Sequence, residues 1–239
     1  MKNWCLANKL IINFSKTLQI VFKNHQKNIT LQDYQIENIA TGTSTKFLGI
    51  VLDHHLTFSP HIEKLISTLN LLIMMFRHLT KFLDVNTMIN LYYTFLYPHL
   101  LYGLEFWGSA SSSHLNRVLV CQKKALRVIY KCPPNSSVSH KFKESKIMPI
   151  SMLYKYRFVI FMFNLYKRDP ILDSLKLDHN INTRNNSNQL KLPVIKTDKG
   201  RRSIFYSGSQ LYGTYALDLT DLPTKSFRAA LAARLWESA

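Results

Sequence analysis

Four cations carry the most suggestive spacing in this sequence. Arg117, Lys124, Arg127 and Lys131 fall seven, three and four residues apart, with Lys123 beside them. At helical periodicity these steps put them on one side of a rod, where they could neutralise phosphates of a polyanion and release its condensed counterions. A solvated helix face is the plainer reading of any charge run, and here the surrounding charge argues against it. Residues 61–168 hold fifteen Lys and Arg against four Asp and Glu, the larger part of a formal net charge of +17. An excess of this size calls for a polyanionic partner or a solubility role.

Groups for metal-assisted chemistry are not gathered in the same way. Two-metal phosphoryl or nucleotidyl transfer needs carboxylates clustered around ions about 3.5–4 Å apart, yet the fourteen acidic residues are scattered and no two are adjacent. Pairs such as Asp33/Glu37 and Asp218/Asp221 suit surface or capping positions. Asp53-His54-His55 suits a turn after a strand better than a metal site. No G-x-x-x-x-G-K-[ST] loop or G-x-S-x-G elbow occurs. Cys5, Cys121 and Cys132 show no C-x-x-C spacing, which points to a reducing compartment and away from zinc. No metal or cofactor is expected to be held by these residues alone.

The elements that carry these residues follow from periodicity. With 46% apolar residues the chain can bury a core. Thr17–Phe22, Asp33–Ala40 and Lys46–Asp53 read as strands of a small antiparallel sheet spanning about 17–53. From Ser59-Pro60, suited to an N-cap and first helical position, apolar residues recur at Ile62, Leu65, Ile66, Leu69, Leu72, Ile73, Phe76 and Leu79, which predicts a long amphipathic helix. Further helices are expected from Asp84, from the Ser111-Ser112-Ser113 region to Pro133-Pro134, and from Ser151 to Lys167. The last is apolar nearly all round and so central. Leu91–Ala110 contains Pro98, His99 and Glu105, which favours a buried helix over a membrane span.

The expected fold is thus α+β, mainly α. A β-bearing segment over 1–58 precedes a helical bundle over 59–168. An Asn-rich linker over 169–195 and a small C-terminal unit over 196–239 follow, the latter with strands near Ser203–Tyr206 and a final helix over Lys225–Trp236. Asn3, Asn8 and Lys9 interrupt any N-terminal apolar run, so secretion is not expected and an intracellular site, cytoplasm or nucleus, is.

Four motifs in one order add a family resemblance: W-C-L-A-N-K-L-I-I-N-F-S-K-T-L-Q-I-V-F at 4–22, K-F-L-G-I-V-L-D-H-H-L-T-F-S-P-H-I at 46–62, L-Y-P-H-L-L-Y-G-L-E-F-W-G at 96–108 and C-Q-K-K-A-L-R-V-I at 121–129. The run resembles the C-terminal part of reverse transcriptases of non-LTR retrotransposons, the jockey-like and related LINE-type elements, over roughly residues 4–168. The resemblance implies that Asn13–Thr17 is motif D of a polymerase palm. Lys16 then stands where the family's lysine lies near the incoming nucleotide and can protonate the departing pyrophosphate, a role suited to an ammonium. It also implies that Phe47, Leu48 and Gly49 form the primer grip hairpin, where a glycine permits close approach to the primer end. The helices over about 59–131 become the thumb, so that Arg117, Lys123, Lys124, Arg127 and Lys131 acquire an RNA-DNA hybrid as ligand.

The family's aromatic-x-Asp-Asp motif, which binds the catalytic metals, does not occur in the sequence. The expectation is a polymerase truncated upstream of motif D and inactive alone, with Mg²⁺ required only by an intact enzyme that includes a palm and fingers segment. A non-enzymatic RNA- or DNA-binding module and a non-functional gene remnant are the alternatives, and a basic membrane-surface protein is a weaker one. A membrane partner is not expected.

Overall fold

The computed structural model describes residues 2–22, 39–168 and 194–238; within them β-structure is confined to the stretch before residue 54 and the rest is helical. Strands β1 (Leu18–Gln19) and β2 (Ala40–Thr41) form a short parallel pair, while β3 (Ser44–Phe47) and β4 (Ile50–Asp53) form an antiparallel hairpin. The expected strand Asp33–Ala40 falls, up to residue 38, outside the described residues, as does most of the Asn-rich linker. The expected single strand over Lys46–Asp53 instead turns back on itself. Phe47 pairs with Ile50, and the two residues between them take positive φ, 46° at Leu48 and 83° at Gly49. Two-residue loops of that kind match the right-handed twist of the strands they join.

Helix α1 (Lys2–Ala7) opens the chain and α2 (Ser59–Leu79) begins the bundle. Ile62, Leu65, Leu69, Ile73 and Phe76 are buried along α2 at the spacing of one helical face. Ser59 lies inside this helix rather than capping it. The cap position falls to Phe58, in a left-handed conformation, and the distant Asp53 carboxylate accepts the Phe58 N–H at 2.8 Å.

Asp84 caps α3 (Val85–Leu91) by accepting the backbone N–H groups of Asn86 and Thr87. A π-turn over Tyr92–Leu96 leads into α4 (Tyr97–Leu101). Pro98 has no N–H to offer the preceding turn, so a wider turn just before it is the cheap solution. After a bend at Tyr102-Gly103 comes α5 (Leu104–Trp107). The Leu91–Ala110 run is therefore not one buried helix: Phe95, Tyr102 and Phe106 are exposed. No helix among the described residues is long and apolar enough to cross a membrane.

Helix α6 (Ser112–Ile129) lies along α2 and is followed by α7 (Ser139–Glu144) and α8 (Ile150–Arg168). Gln122, on the apolar face of α6, is fully buried but satisfied. Its Nε2 donates to Tyr92 Oη at 3.0 Å and to the Met148 carbonyl at 3.2 Å, and its Oε1 accepts the Ile150 N–H at 2.7 Å. One amide thus ties three helices together.

The last segment contains α9 (Asp198–Arg201), a π-turn over Ile204–Gly208, α10 (Ser209–Tyr215) and α11 (Thr224–Glu237). The strands expected near Ser203–Tyr206 do not form. Ser203 instead accepts the Tyr206 N–H and starts a helical turn. This segment packs against α8, whose Val159, Met162 and Phe163 join Tyr212, Phe227, Leu231 and Leu235 in a second core; the Phe163 and Phe227 rings stack 3.8 Å apart. Leu153, also on α8, belongs to the first core with Ile62, Trp107 and Leu126. Helix α8 is apolar nearly all round because both cores share it.

Candidate nucleic-acid interface

Two of the sequence motifs meet at the β3–β4 hairpin. Tyr102 Oη donates a hydrogen bond to the Leu48 carbonyl, and the same ring crowds the turn: a Cβ placed on Gly49 would lie 3.0 Å from Tyr102 Cε1. On the other side of the bend, a Cβ on Gly103 would fall 2.4 Å from Ile50 Cδ1. Trp107, fully buried, fixes the bend by donating its Nε1–H to the Tyr102 carbonyl at 2.9 Å. His61 of α2 holds the hairpin's inner strand, its Nδ1 accepting the Val51 N–H at 3.5 Å. Burial, aided by Lys64, pushes His61 below the ordinary histidine pKa, so the acceptor stays neutral.

The clamp presents an unusual tip. Phe47 and Leu48 are 60% and 74% exposed, and Leu48 occupies a left-handed conformation that Asn or Gly would adopt more cheaply. Two large apolar side chains are therefore displayed, at some cost, on a turn whose back is anchored. Strain of this kind persists where the surroundings over-determine it, and it concentrates at binding sites.

The cations divide into two groups. Arg117 pairs with Glu63 of α2 at 3.7 Å, an exposed ion pair of little value to stability. Cys121 Sγ lies 4.0 Å from Asn70 Oδ1 one helical stretch later. These two pairings, 63 with 117 and 70 with 121, mean that α2 and α6 run parallel and end together. Where they end, Lys124, Arg127 and Lys131 line one groove of about 780 Å³ with Arg77 and Lys81 from the end of α2. Arg127 also donates Nε–H to the Ser136 carbonyl at 3.0 Å, which steadies the groove's rim. Lys123 is not among the lining residues.

Lys131 sits in this groove in a left-handed conformation, φ 53°, as the residue after the α6 cap. The Cys132 N–H bonds the Arg127 carbonyl at 2.8 Å and the Lys131 N–H bonds the Val128 carbonyl at 3.2 Å, a Schellman termination in which glycine is the usual occupant. Lysine here costs backbone strain and supplies charge instead. The ends of α2 and α6 both carry partial negative charge, which the cations also offset.

Lys16 ends a 3-10 turn over Phe14–Lys16 that Asn13 caps, accepting the Lys16 N–H at 3.3 Å; it is exposed and lines neither the hairpin clamp nor the groove. Asp53 is engaged by its own loop. Burial acts to raise its pKa, but the N–H groups of Thr57 and Phe58 and the Thr57 hydroxyl together hold the carboxyl below the usual carboxylate range. No group of three metal-ligating side chains occurs among the described residues. Arg77 and Lys81 are not among the cations that spacing alone selects, because only the parallel pairing of α2 with α6 makes them neighbours of Lys124. The basic last turn of α2, Arg77-His78 before Lys81, is the local signal that could have found them.

Comparison with known proteins gives similarity to transposon polymerases. The chain is 31% identical over 135 residues to the RNA-directed DNA polymerase from mobile element jockey of Drosophila melanogaster, covering 55% of this chain and 15% of that protein. It is 30% identical over 138 residues to the "Probable RNA-directed DNA polymerase from transposon BS" of the same species, covering 54% and 15%. The jockey polymerase of Drosophila funebris is 27% identical over 135 residues, covering 55% and 15%. The chain thus spans about 15% of the length of these relatives. No family model and no solved structure matches it.

Proposed function

Over about half its length this chain is about 30% identical to RNA-directed DNA polymerases of non-LTR transposons, and from that premise we propose that it supplies the primer grip and thumb of such a polymerase. The hairpin tip, Phe47-Leu48-Gly49, meets the primer end, and the groove at the joined ends of α2 and α6 grips the backbone of the RNA-DNA hybrid. The observation that carries this reading is the convergence of Arg77, Lys81, Lys124, Arg127 and Lys131 on one groove. Five cations facing one cleft with no carboxylate among its lining residues suit a phosphate backbone, not a neutral ligand.

Under this reading Lys123 and Arg117 contribute long-range attraction, and Lys16 serves a palm that must also provide the metal-binding carboxylates. Mg²⁺ belongs to that palm, and catalysis needs its segment as a partner. Phosphate contacts position a duplex without reading it, so binding should be indifferent to sequence. The test is the affinity of the purified chain for an RNA-DNA hybrid across a salt series. A steep linear fall of log K with log salt supports the groove, and a flat one refutes it. Primer extension on an RNA template by this chain alone would overturn the assignment of the carboxylates to another segment.

A further inference from the structure

The run Tyr102–Gly108 is almost wholly explained by packing. Tyr102 clamps the hairpin, Gly103 makes room for Ile50, Leu104 and Trp107 are core, Glu105 accepts from Arg157 at 2.7 Å, and Gly108 lies against Tyr154. Phe106 is the exception. It is 55% exposed on the wall of a separate cleft of about 600 Å³. That cleft lies between the 55–58 loop, the α5–α6 junction and residues 202–204 of the last segment, away from the groove residues.

Its lining has two characters. Leu56, Phe58, Phe106 and Ile204 give it apolar walls. Its polar side carries Arg202, His55, His114 and the hydroxyls of Ser109 and Ser111. The single lining carboxylate, Glu105, is already neutralised by Arg157. Ser111 Oγ holds His114 Nδ1 at 3.0 Å, which orients the ring and leaves Nε2 for a ligand. The 55–58 wall is rigid for a reason: Leu56 and Phe58 both stand at positive φ, 54° and 59°, and Asp53 fixes them through the N–H groups of His55, Thr57 and Phe58.

We propose that this cleft takes one unpaired nucleotide of a nucleic-acid strand, with the base against Phe106 and Leu56 and the phosphate against Arg202 and His114. The chemistry favours this ligand over a duplex. A half-exposed aromatic ring in a cleft that also carries an arginine is the combination on which single-stranded bases stack, and stacking tolerates any base. A paired base offers no face to it. The proposal rests on the nucleic-acid reading of the chain but concerns different residues, so the two can fail separately.

The experiment compares the full chain with Phe106→Ala, Arg202→Ala and Phe106→Trp against four probes at one salt concentration: a ten-nucleotide single-stranded RNA, the same sequence as DNA, an RNA-DNA hybrid of that length, and a 4-thiouridine version of the RNA for photo-crosslinking. The expected result is a loss of about tenfold in single-strand affinity for Phe106→Ala, retention for Phe106→Trp, and hybrid affinity unchanged within about twofold. The crosslink should fall on the peptide carrying Phe106–His114. A stronger effect with RNA than with DNA would assign the strand to a template, and the reverse to a primer or product. Unchanged single-strand affinity in Phe106→Ala, with hybrid binding intact, overturns the cleft and leaves the groove standing. Binding of no probe by the parent chain overturns both.

Discussion

Tyr102 Oη donates to the Leu48 carbonyl, joining two motifs that stand more than fifty residues apart in sequence. The bond sits at the tip of the hairpin, so it anchors the residues that the proposed primer contact needs. Tyr102→Phe should cost about 0.5–1.5 kcal/mol, the net worth of one hydrogen bond, while leaving the ring's packing on Gly49 in place. Gly49→Ala should cost more, about 1–2 kcal/mol, because it adds left-handed strain and presses a methyl group on the tyrosine ring. Urea midpoints read both. A Gly49→Ala chain as stable as the parent would show that the turn is not held as described.

Groove and stripe predict different salt slopes. Lys124→Ala, Lys131→Ala, Arg77→Ala and Lys81→Ala should each lower the slope of log K against log salt for an RNA-DNA hybrid by about 0.9 for every phosphate no longer neutralised. Arg117→Ala should lower it less, since Arg117 already faces Glu63. Equal effects from Arg117 and Lys124 would restore the one-sided stripe and remove the groove.

Lys131 separates stability from binding. Replacing it with glycine relieves a left-handed backbone strain at a helix terminus and should stabilise the chain by about 1 kcal/mol, yet hybrid affinity should fall. Thermal melting and hybrid titration on the same sample check the opposed signs. A glycine variant that gains stability and keeps affinity would make Lys131 a structural accident.

Acid should loosen the hairpin in two stages. His61 has a folded pKa below its ordinary 6.5, so its contribution is whole above that pH and is lost as pH falls through the folded value. Asp53 likewise lies below its ordinary 3.8, so its contribution is whole above about pH 5 and disappears only as pH drops through its lower folded value. His61→Asn, which retains an acceptor near Nδ1, should flatten the upper stage of a urea midpoint against pH curve and spare the lower one. Asp53→Ala should cost about 1–3 kcal/mol at neutral pH through the unpaired N–H groups it leaves.

Gln122→Leu should cost about 1–3 kcal/mol, because it strands the buried Ile150 N–H and Tyr92 hydroxyl together. Chemical denaturation measures it, and a neutral result would mean that water replaces the amide.

How much of this is legible in the residues depends on whether the cause is local. The apolar spacing of Ile62 to Phe76 marks α2, and the Asp84 cap marks α3, because both signals act within a few residues. The resemblance motifs likewise point to a hairpin at Phe47-Leu48-Gly49, although the β-branched and apolar run Lys46–Asp53 reads as one strand. Relations across the chain stay hidden. The parallel pairing of α2 with α6 puts Arg77 and Lys81 beside Lys124 and turns Arg117 toward Glu63. Gln122 reads as a lapse on an apolar face, since its partners lie far along the chain: Tyr92 in the turn before α4, Met148 in the connection between α7 and α8, and Ile150 at the start of α8. The strands expected at Ser203–Tyr206 fail because the segment takes a helical turn in which Ile204 packs against the second core, a tertiary effect that local propensity does not register.

The sharing of α8 by two cores also has a consequence for how the chain is made. Phe163 leaves the ribosome sixty-four residues before its stacking partner Phe227. At roughly 5–20 residues per second, the face formed by Val159, Met162 and Phe163 waits several seconds without its cover. During synthesis, one side of the central helix is therefore a transient client for any chaperone that reads exposed apolar surface, and slowing translation after Arg168 should lengthen that exposure in proportion.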